Sequence, residues 1–172
     1  MAKTKKIFII DDDPTHNDML KAYLLEKFNV EVLAFTNGED ALRNLHLKPE
    51  FLILDYYLDR NNNNALNGID ILKRIKNTNP DCYVLMLSGQ DKIEVAVDTM
   101  KYGAFDYIVK NPTGFIRVEN SLNNLYKTLR DKYLIKAYRT STFILIGVLA
   151  LIIIMAVILK QTGIATNNPS WF

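Results

Sequence analysis

Apolar residues occupy the first two thirds of the chain in two textures, short solid blocks and longer stretches in which they recur every three or four positions. Solid blocks of this length suit strands buried on both faces, and the three-four spacing suits helices with one inner face. Ile7 to Ile10 is the first block. Pro14 then opens a helix at its first turn, with Met19, Leu20, Tyr23, Leu24 and Phe28 along one side. Val30 to Phe35 reads as a second, more alternating strand. Thr36 with Glu39 has the form of a capping box for a short helix whose inner face is Ala41, Leu42 and Leu45. Phe51 to Leu54 is the third strand, closed by Asp55. Tyr56 to Gly68, with its run Asn61 to Asn64, has no periodicity and reads as a flexible loop. A helix carrying Ile71, Leu72 and Ile75 ends at Asn79-Pro80, and Val84 to Leu87 forms the fourth strand. Ile93, Ala96, Val97 and Met100 mark one face of the next helix, and Tyr107 to Val109 is a fifth strand closed by Lys110.

Strand and helix thus alternate five times without an internal sequence repeat, which predicts an α/β fold with a parallel sheet covered on both sides. Beyond it the texture changes. Phe115 to Ile146 holds neither Gly nor Pro, so one helix can run through without a break, and Val118, Leu122, Leu125 and Leu129 suit packing on the sheet or on a second copy. Lys132 and Lys136 then limit any coiled coil. Thr142 to Leu159 is 18 residues without a charge or a strong polar group. As a helix it would be ~27 Å long, against ~30 Å for the hydrocarbon core of a bilayer. Lys127, Arg130, Lys132, Lys136 and Arg139 precede it and Lys160 follows. By the positive-inside rule the N-terminal part faces the cytoplasm and the end of the chain, with Trp171 and Phe172, lies outside.

Charge sharpens this division. The net +2 combines 15 Lys and Arg against 18 Asp and Glu in residues 1–126, giving −3, with 6 against 1 in residues 127–172, giving +5. The basic flank abuts the apolar run and suits anionic headgroups better than nucleic acid. Cys82 is the only cysteine, so there is no intrachain disulfide and nothing points to zinc. Ile7 to Ile10 is too short for a secretory signal and stops at three aspartates.

Those aspartates open the chemistry. Asp11, Asp12 and Asp13 follow the first strand, Asp55 the third, Ser88 the fourth and Lys110 the fifth. In a doubly wound, flavodoxin-like sheet of order 2-1-3-4-5, the crevice between strands one and three brings the acidic triplet and Asp55 into one pocket. Carboxylates so crowded need a cation, and Mg²⁺, which prefers hard oxygen ligands and commonly joins carboxylates to phosphate, is the natural one. With the metal and Lys110 drawing in a phosphoryl group, a central carboxylate can act as nucleophile and form an acyl phosphate, and Ser88 can donate to a phosphoryl oxygen.

Residues 5 to about 126 resemble a response-regulator receiver domain of two-component signalling, through Ile-Ile-Asp-Asp at 9–12, Leu-Asp at 54–55, Leu-Ser-Gly at 87–89 and Tyr-Ile-Val-Lys at 107–110. The resemblance implies that Asp55 is the phosphoacceptor. It makes Asp11 and Asp12 the acidic pair that binds Mg²⁺ together with Asp55 and the backbone carbonyl of Tyr57. Ser88 becomes the switch hydroxyl, Lys110 the phosphate-binding lysine and Tyr107 the aromatic that changes rotamer on activation. Asp59 stands where such domains usually have Pro, the loop to Gly68 is longer than usual, and Asn111 separates Lys110 from Pro112, where receivers have a cis proline directly. Gln90 and the Tyr57 side chain sit where the family tunes access of hydrolytic water. His16 and His46 are expected to face solvent.

Two other readings compete. Asp11-x-Asp13-x-Thr15, Ser88 and Lys110 also match haloacid-dehalogenase-type phosphatases, with Asp11 as nucleophile, but further acidic ligands are wanting after Lys110 and Asp55 would be idle. A phosphorylation-independent docking module tethered to a membrane is the third. The sequence therefore predicts a membrane-anchored, stand-alone receiver, a phosphoacceptor and not an enzyme. Residues 1–126 form the receiver, 127–141 a basic helical stalk, 142–159 a transmembrane helix and 160–172 a short extracytoplasmic tail. Its expected partners are a histidine kinase or phosphotransfer protein and the membrane, with no nucleic acid, and its place is the inner, cytoplasmic membrane as a single-pass protein.

Overall fold

The computed structural model describes residues 5–58, 66–89 and 91–161. The Asn61 to Asn64 run, Asp59, Gln90 and the tail with Trp171 and Phe172 lie outside the described residues. The chain divides into two units, Met1–Asn123 and Asn124–Phe172.

In the first unit the order is β1(Lys5–Ile10), α1(Pro14–Lys27), β2(Val30–Phe35), α2(Gly38–Arg43), a 3-10 turn at Leu45–Leu47, β3(Phe51–Asp55), α3(Gly68–Thr78), β4(Tyr83–Ser88), α4(Ile93–Lys101), β5(Asp106–Val109) and the start of α5(Gly114–Gln161). The strands form one parallel sheet in the order β2-β1-β3-β4-β5. This is the flavodoxin-like arrangement expected from the alternation, with the order reversing between β1 and β3. Register brings the carboxyl ends level: Ile10 pairs with Phe35 and Leu54, Asp55 with Leu87, and Ser88 with Val109.

The solid blocks are apolar because both faces of the sheet are covered. Phe8, Ile10, Leu52, Leu54, Val84 and Met86 join Ile71, Leu72 and Ile75 of α3 in one cluster. The alternate residues Ile7, Ile9, Ile53 and Leu85 point the other way, and Leu20 and Leu24 of α1 and Val118 and Leu122 of α5 are likewise fully buried. Each such side chain contributes ~1.5–3 kcal/mol on leaving water.

Helix ends follow local chemistry. Pro14 begins α1, and the Asp13 carboxylate caps it by accepting from the backbone N–H of Thr15 at 2.9 Å and His16 at 3.3 Å. Asn67 caps α3 through the Asp70 N–H at 2.9 Å. The capping box expected at Thr36 and Glu39 is displaced by one residue. Asn37 is the cap, accepting from Asp40 N–H at 2.8 Å, because an Asn side chain reaches the N3 amide as well as a Thr hydroxyl does. In α4 the face of Ile93, Val97 and Met100 is turned outward, with those residues 76%, 46% and 49% exposed, while Thr99 is buried and donates to the Ala96 carbonyl at 2.8 Å. Met19 is also exposed, so the inner side of α1 narrows to Leu20 and Leu24. Cys82 is the small buried residue expected, and burial pushes its thiol up to about 12.

In the second unit the described residues are helical throughout, and those from Asp131 to Gln161 are exposed. Thr140 and Thr142 donate their hydroxyls back to the carbonyls of Lys136 and Tyr138 at 3.0 and 2.8 Å. Both hydroxyls are thereby satisfied within the helix at the entrance to the apolar run. This helix is long and apolar enough to cross a membrane.

Candidate functional site

Each residue at the centre of the first unit is delivered by the end of a strand. Asp11 follows β1 and is held by its backbone N–H donating to the Phe35 carbonyl at 3.1 Å. Asp55 ends β3, and the next amide, Tyr56, donates to Leu87 at 2.7 Å. Lys110 follows β5, its backbone N–H donating to the Ser88 carbonyl at 2.7 Å. Ser88 ends β4 and is fully buried. The sheet thus extends its ladder one residue past the strands and fixes the side chains that project from its rim.

Lys110 is the bridge. Its Nζ donates to Asp11 Oδ2 at 2.6 Å and to Asp55 Oδ2 at 2.7 Å. Asp11 and Asp55 are 1% and 5% exposed, whereas Asp12 stands open to solvent. One carboxylate oxygen from each of Asp11, Asp12 and Asp55 lies within 4.8 Å of the others. Burial is the main influence on all the inner groups. It raises Asp55 above the ordinary carboxylate range, the Lys110 contacts opposing it. In Asp11 burial is outweighed by the contacts from His16 and Lys110, and the carboxyl sits below its usual value. Burial works against the charge of Lys110, but its two carboxylate partners hold it above its ordinary value. Two carboxylates share one ammonium, and the exposed third adds further negative charge. Three hard oxygen donors, one of them water-facing, fit a divalent cation that keeps several waters, as Mg²⁺ does.

The other predicted positions take different places. The Tyr57 backbone N–H donates to Asp55 Oδ1 at 3.0 Å, so the residue after next orients the carboxylate. Tyr107 lies half-buried at the same rim; burial raises its phenol, and a side-chain hydrogen bond with Ser88 opposes the rise. Asp13 is no part of the cluster, because its carboxylate caps α1. Among the described residues there is no cis peptide bond, so the links through Lys110, Asn111 and Pro112 are trans.

His16 corrects an expectation. It does not face solvent: its side chain is 21% exposed, Nδ1 lies 2.7 Å from Asp11 Oδ2, and its ring meets Phe115 edge-on at 5.4 Å. His16 is the third residue of α1, in the turn that Asp13 caps, and its side chain lies on the Asp11 side of that turn. His46 is exposed as expected. Two further residues had no visible signal. Asn17 is buried and donates to the carbonyls of Asp11 at 2.8 Å and Phe35 at 3.2 Å, tying the ends of β1 and β2 together. Gly68 lets α3 begin against the loop after Asp55: a Cβ there would stand 2.5 Å from the Asp55 carbonyl oxygen and 2.8 Å from Tyr56 Cα. Beside Lys110 a hollow of about 390 Å³ opens between His16, Met19, Asn111, Pro112 and Phe115.

The family model described as response regulator receiver domain matches residues 7–115. The transcriptional regulatory protein ZraR of Salmonella typhimurium is 32% identical over 125 residues, covering 73% of this chain and 27% of that protein. The chain therefore spans roughly a quarter of the length of the curated relatives it matches. Among solved structures, the BeF3-activated receiver domain of DrrB, from Thermotoga maritima, aligns with a TM-score of 0.59 at 27% identity, covering 70% of this chain and 99% of that one. The receiver domain of NtrX from Brucella abortus aligns with a TM-score of 0.58 at 29% identity, covering 68% and 98%.

Proposed function

The chain belongs to the response regulator receiver domain family of two-component signalling, and from that premise we propose that Asp55 accepts a phosphoryl group from a histidine kinase or phosphotransfer protein. The observation that carries this is Lys110 Nζ bridging two buried carboxylates, Asp11 and Asp55, beside the open Asp12. An Asp55 oxygen attacks phosphorus, a P–O bond forms, the P–N bond to the donor imidazole breaks, and the imidazole leaves with the bond electrons and takes a proton from solvent. Lys110 exchanges its contact with Asp55 for one with the arriving phosphoryl oxygens. The Tyr57 N–H keeps the attacking carboxylate oriented. Asp11, Asp12, Asp55 and the Tyr57 carbonyl would hold Mg²⁺, which withdraws charge from the phosphoryl oxygens. Ser88 is the hydroxyl placed to follow the phosphate, and Tyr107, hydrogen-bonded to it, the side chain that carries the change outward. The phosphate acts by its differential contact with two conformations.

The same reading makes residues 1–126 the receiver, 127–141 a basic stalk, 142–159 a transmembrane helix and 160–172 an extracytoplasmic tail. The receiver would then work at the cytoplasmic face of the inner membrane, where tethering raises the effective concentration of membrane partners. The apolar run, exposed over its whole length, supports this anchor.

The test is to incubate the full chain in mild detergent with Mg²⁺ and acetyl phosphate and follow its intact mass beside Asp55→Asn and Asp11→Asn variants. One added phosphoryl group is expected, dependent on Mg²⁺ and absent from Asp55→Asn. Label that survives the Asp55 change and disappears with the Asp11 change would replace this reading with the phosphatase one. A folded, Mg²⁺-binding chain that takes no label would point to the docking module.

A further inference from the structure

We propose that Lys132, Lys136 and Arg139 form a headgroup site for anionic phospholipid on one face of α5; the proposal rests on the membrane reading above and adds a ligand to it. At i, i+4 and i+7 the three cations fall within roughly 60° of one another around the helix. With Ile135 they line one shallow concavity of about 230 Å³. Lysines in the first unit commonly have an acidic neighbour: Lys6 pairs with Glu31, Lys27 with Glu26, Lys73 with Asp70 and Lys101 with Asp98. Among the described residues, Lys132, Lys136 and Arg139 enter no ion pair. The sequence offers none further on, since Asp131 is the last acidic residue in the chain. Three cations on one face therefore await an anion from outside it.

Their depth identifies the anion. At the helical rise, Arg139, Lys136 and Lys132 lie roughly 4.5, 9 and 15 Å before Thr142, where the uncharged run begins. The headgroup layer is about 5–7 Å thick on each side of the hydrocarbon. Arg139 lies within it and Lys136 reaches it with its long side chain, while Lys132 stands roughly 8 Å outside it, about one Debye length from the headgroup charge. Tyr138, roughly 6 Å before Thr142, is 73% exposed at the level that interfacial aromatics prefer. The phosphate of phosphatidylcholine is neutralised by its own choline, whereas that of phosphatidylglycerol is not, so the site selects the anionic lipid. A polynucleotide also carries phosphates, but Arg139 and Lys136 stand within two helical turns of the apolar span, where headgroups are the nearer source of phosphate.

The full chain and its Lys132→Gln, Lys136→Gln, Arg139→Gln triple variant are reconstituted into phosphatidylcholine vesicles holding a minority of phosphatidylglycerol. They are then washed in alkaline carbonate, extracted in mild detergent and weighed with their bound lipid by native mass spectrometry. The expected enrichment, taken as the phosphatidylglycerol-to-phosphatidylcholine ratio of the bound lipid over that of the vesicle, is roughly fivefold for each cation in the headgroup layer, about 25-fold for Arg139 and Lys136 together, with Lys132 adding less. It should vanish in the triple Gln variant and survive in Lys132→Arg, Lys136→Arg, Arg139→Lys. Retention of the chain without enrichment overturns the lipid site and leaves the anchor standing. Loss of the chain in the carbonate wash overturns the anchor and the site together. Enrichment abolished by millimolar inorganic phosphate, or a single-stranded oligonucleotide bound through the same three residues, would replace the lipid with a free anion or a polynucleotide.

Discussion

Lys110 holds two buried carboxylates with one ammonium, so the charges on either side of it do not balance. Without a cation, Asp55 is the unfavourable member, since burial already raises it above the ordinary carboxylate range. Asp55→Asn relieves that charge and leaves Lys110 its pair with Asp11. It is expected to stabilise the metal-free fold and raise its unfolding midpoint, because a charge disfavoured by burial is removed. Lys110→Ala has the opposite sign. It leaves Asp11 and Asp55 facing each other and should cost about 3 kcal/mol, the low end for a broken buried pair because Lys110 is 23% exposed. Thermal unfolding of both variants in EDTA checks the pair, and Mg²⁺ should narrow the gap between Asp55→Asn and wild type. A lower midpoint for Asp55→Asn in EDTA would mean that its ion pair outweighs the crowding. The sequence shows the carboxylates and the lysine because each closes an apolar block, and a charge at the end of a buried strand is conspicuous. His16 and Asn17 are not conspicuous. They sit in the first turn of α1 among polar neighbours, and only the packing of that turn on the strand ends gives His16 the Asp11 carboxylate and Asn17 the carbonyls of Asp11 and Phe35.

Among the elements, β3 and α3 show how backbone proximity positions the site. Gly68 begins α3 where its N–H donates to the Tyr56 carbonyl at 3.2 Å, directly behind Asp55. Gly68→Ala places a methyl group against backbone atoms that have no side-chain freedom to yield. It should destabilise by about 1–3 kcal/mol, and the displaced loop should slow phosphoryl acceptance in proportion beyond the loss of folded protein. Unaltered labelling per folded chain would show that the loop absorbs the methyl without moving Asp55. From the sequence Gly68 is only the end of an irregular stretch. Its close approach depends on chain packing from β3, which periodicity does not encode. In α4 the spacing of Ile93, Val97 and Met100 correctly places them on one face. Spacing cannot say which way that face turns, and here Thr99, with its hydroxyl satisfied by Ala96, takes the inner side. The box at Thr36 fails by one position for a similar reason, since Asn37 and Asp40 offer the same cap one residue later.

Across the whole molecule the two units differ in what they bury and what they expose. In the first, Cys82 is 1% exposed with its thiol raised to about 12, so neither access nor thiolate is available near neutral pH. Alkylation should proceed only as that unit opens, at a rate that rises with denaturant in step with the loss of strand signal. Rapid labelling of the native chain would contradict the burial. In the second unit, Thr142 to Leu159 holds thirteen Phe, Ile, Leu and Val residues, together worth about −4 to −8 kcal/mol on the scale for insertion at the helix centre. One central Arg costs about 3 kcal/mol, which this total covers. Leu151→Arg should therefore remain in membranes through a carbonate wash. Leu149→Arg, Leu151→Arg and Ile153→Arg together add about 8–10 kcal/mol and exceed it, so the triple variant should be extracted. Neither change touches the strand ends that hold Asp11, Asp55 and Lys110, so both variants should accept a phosphoryl group at Asp55 as the parent does. Retention of the triple variant would show that something other than the apolar run holds the chain. Extraction of the parent would end the transmembrane reading while leaving the receiver chemistry intact.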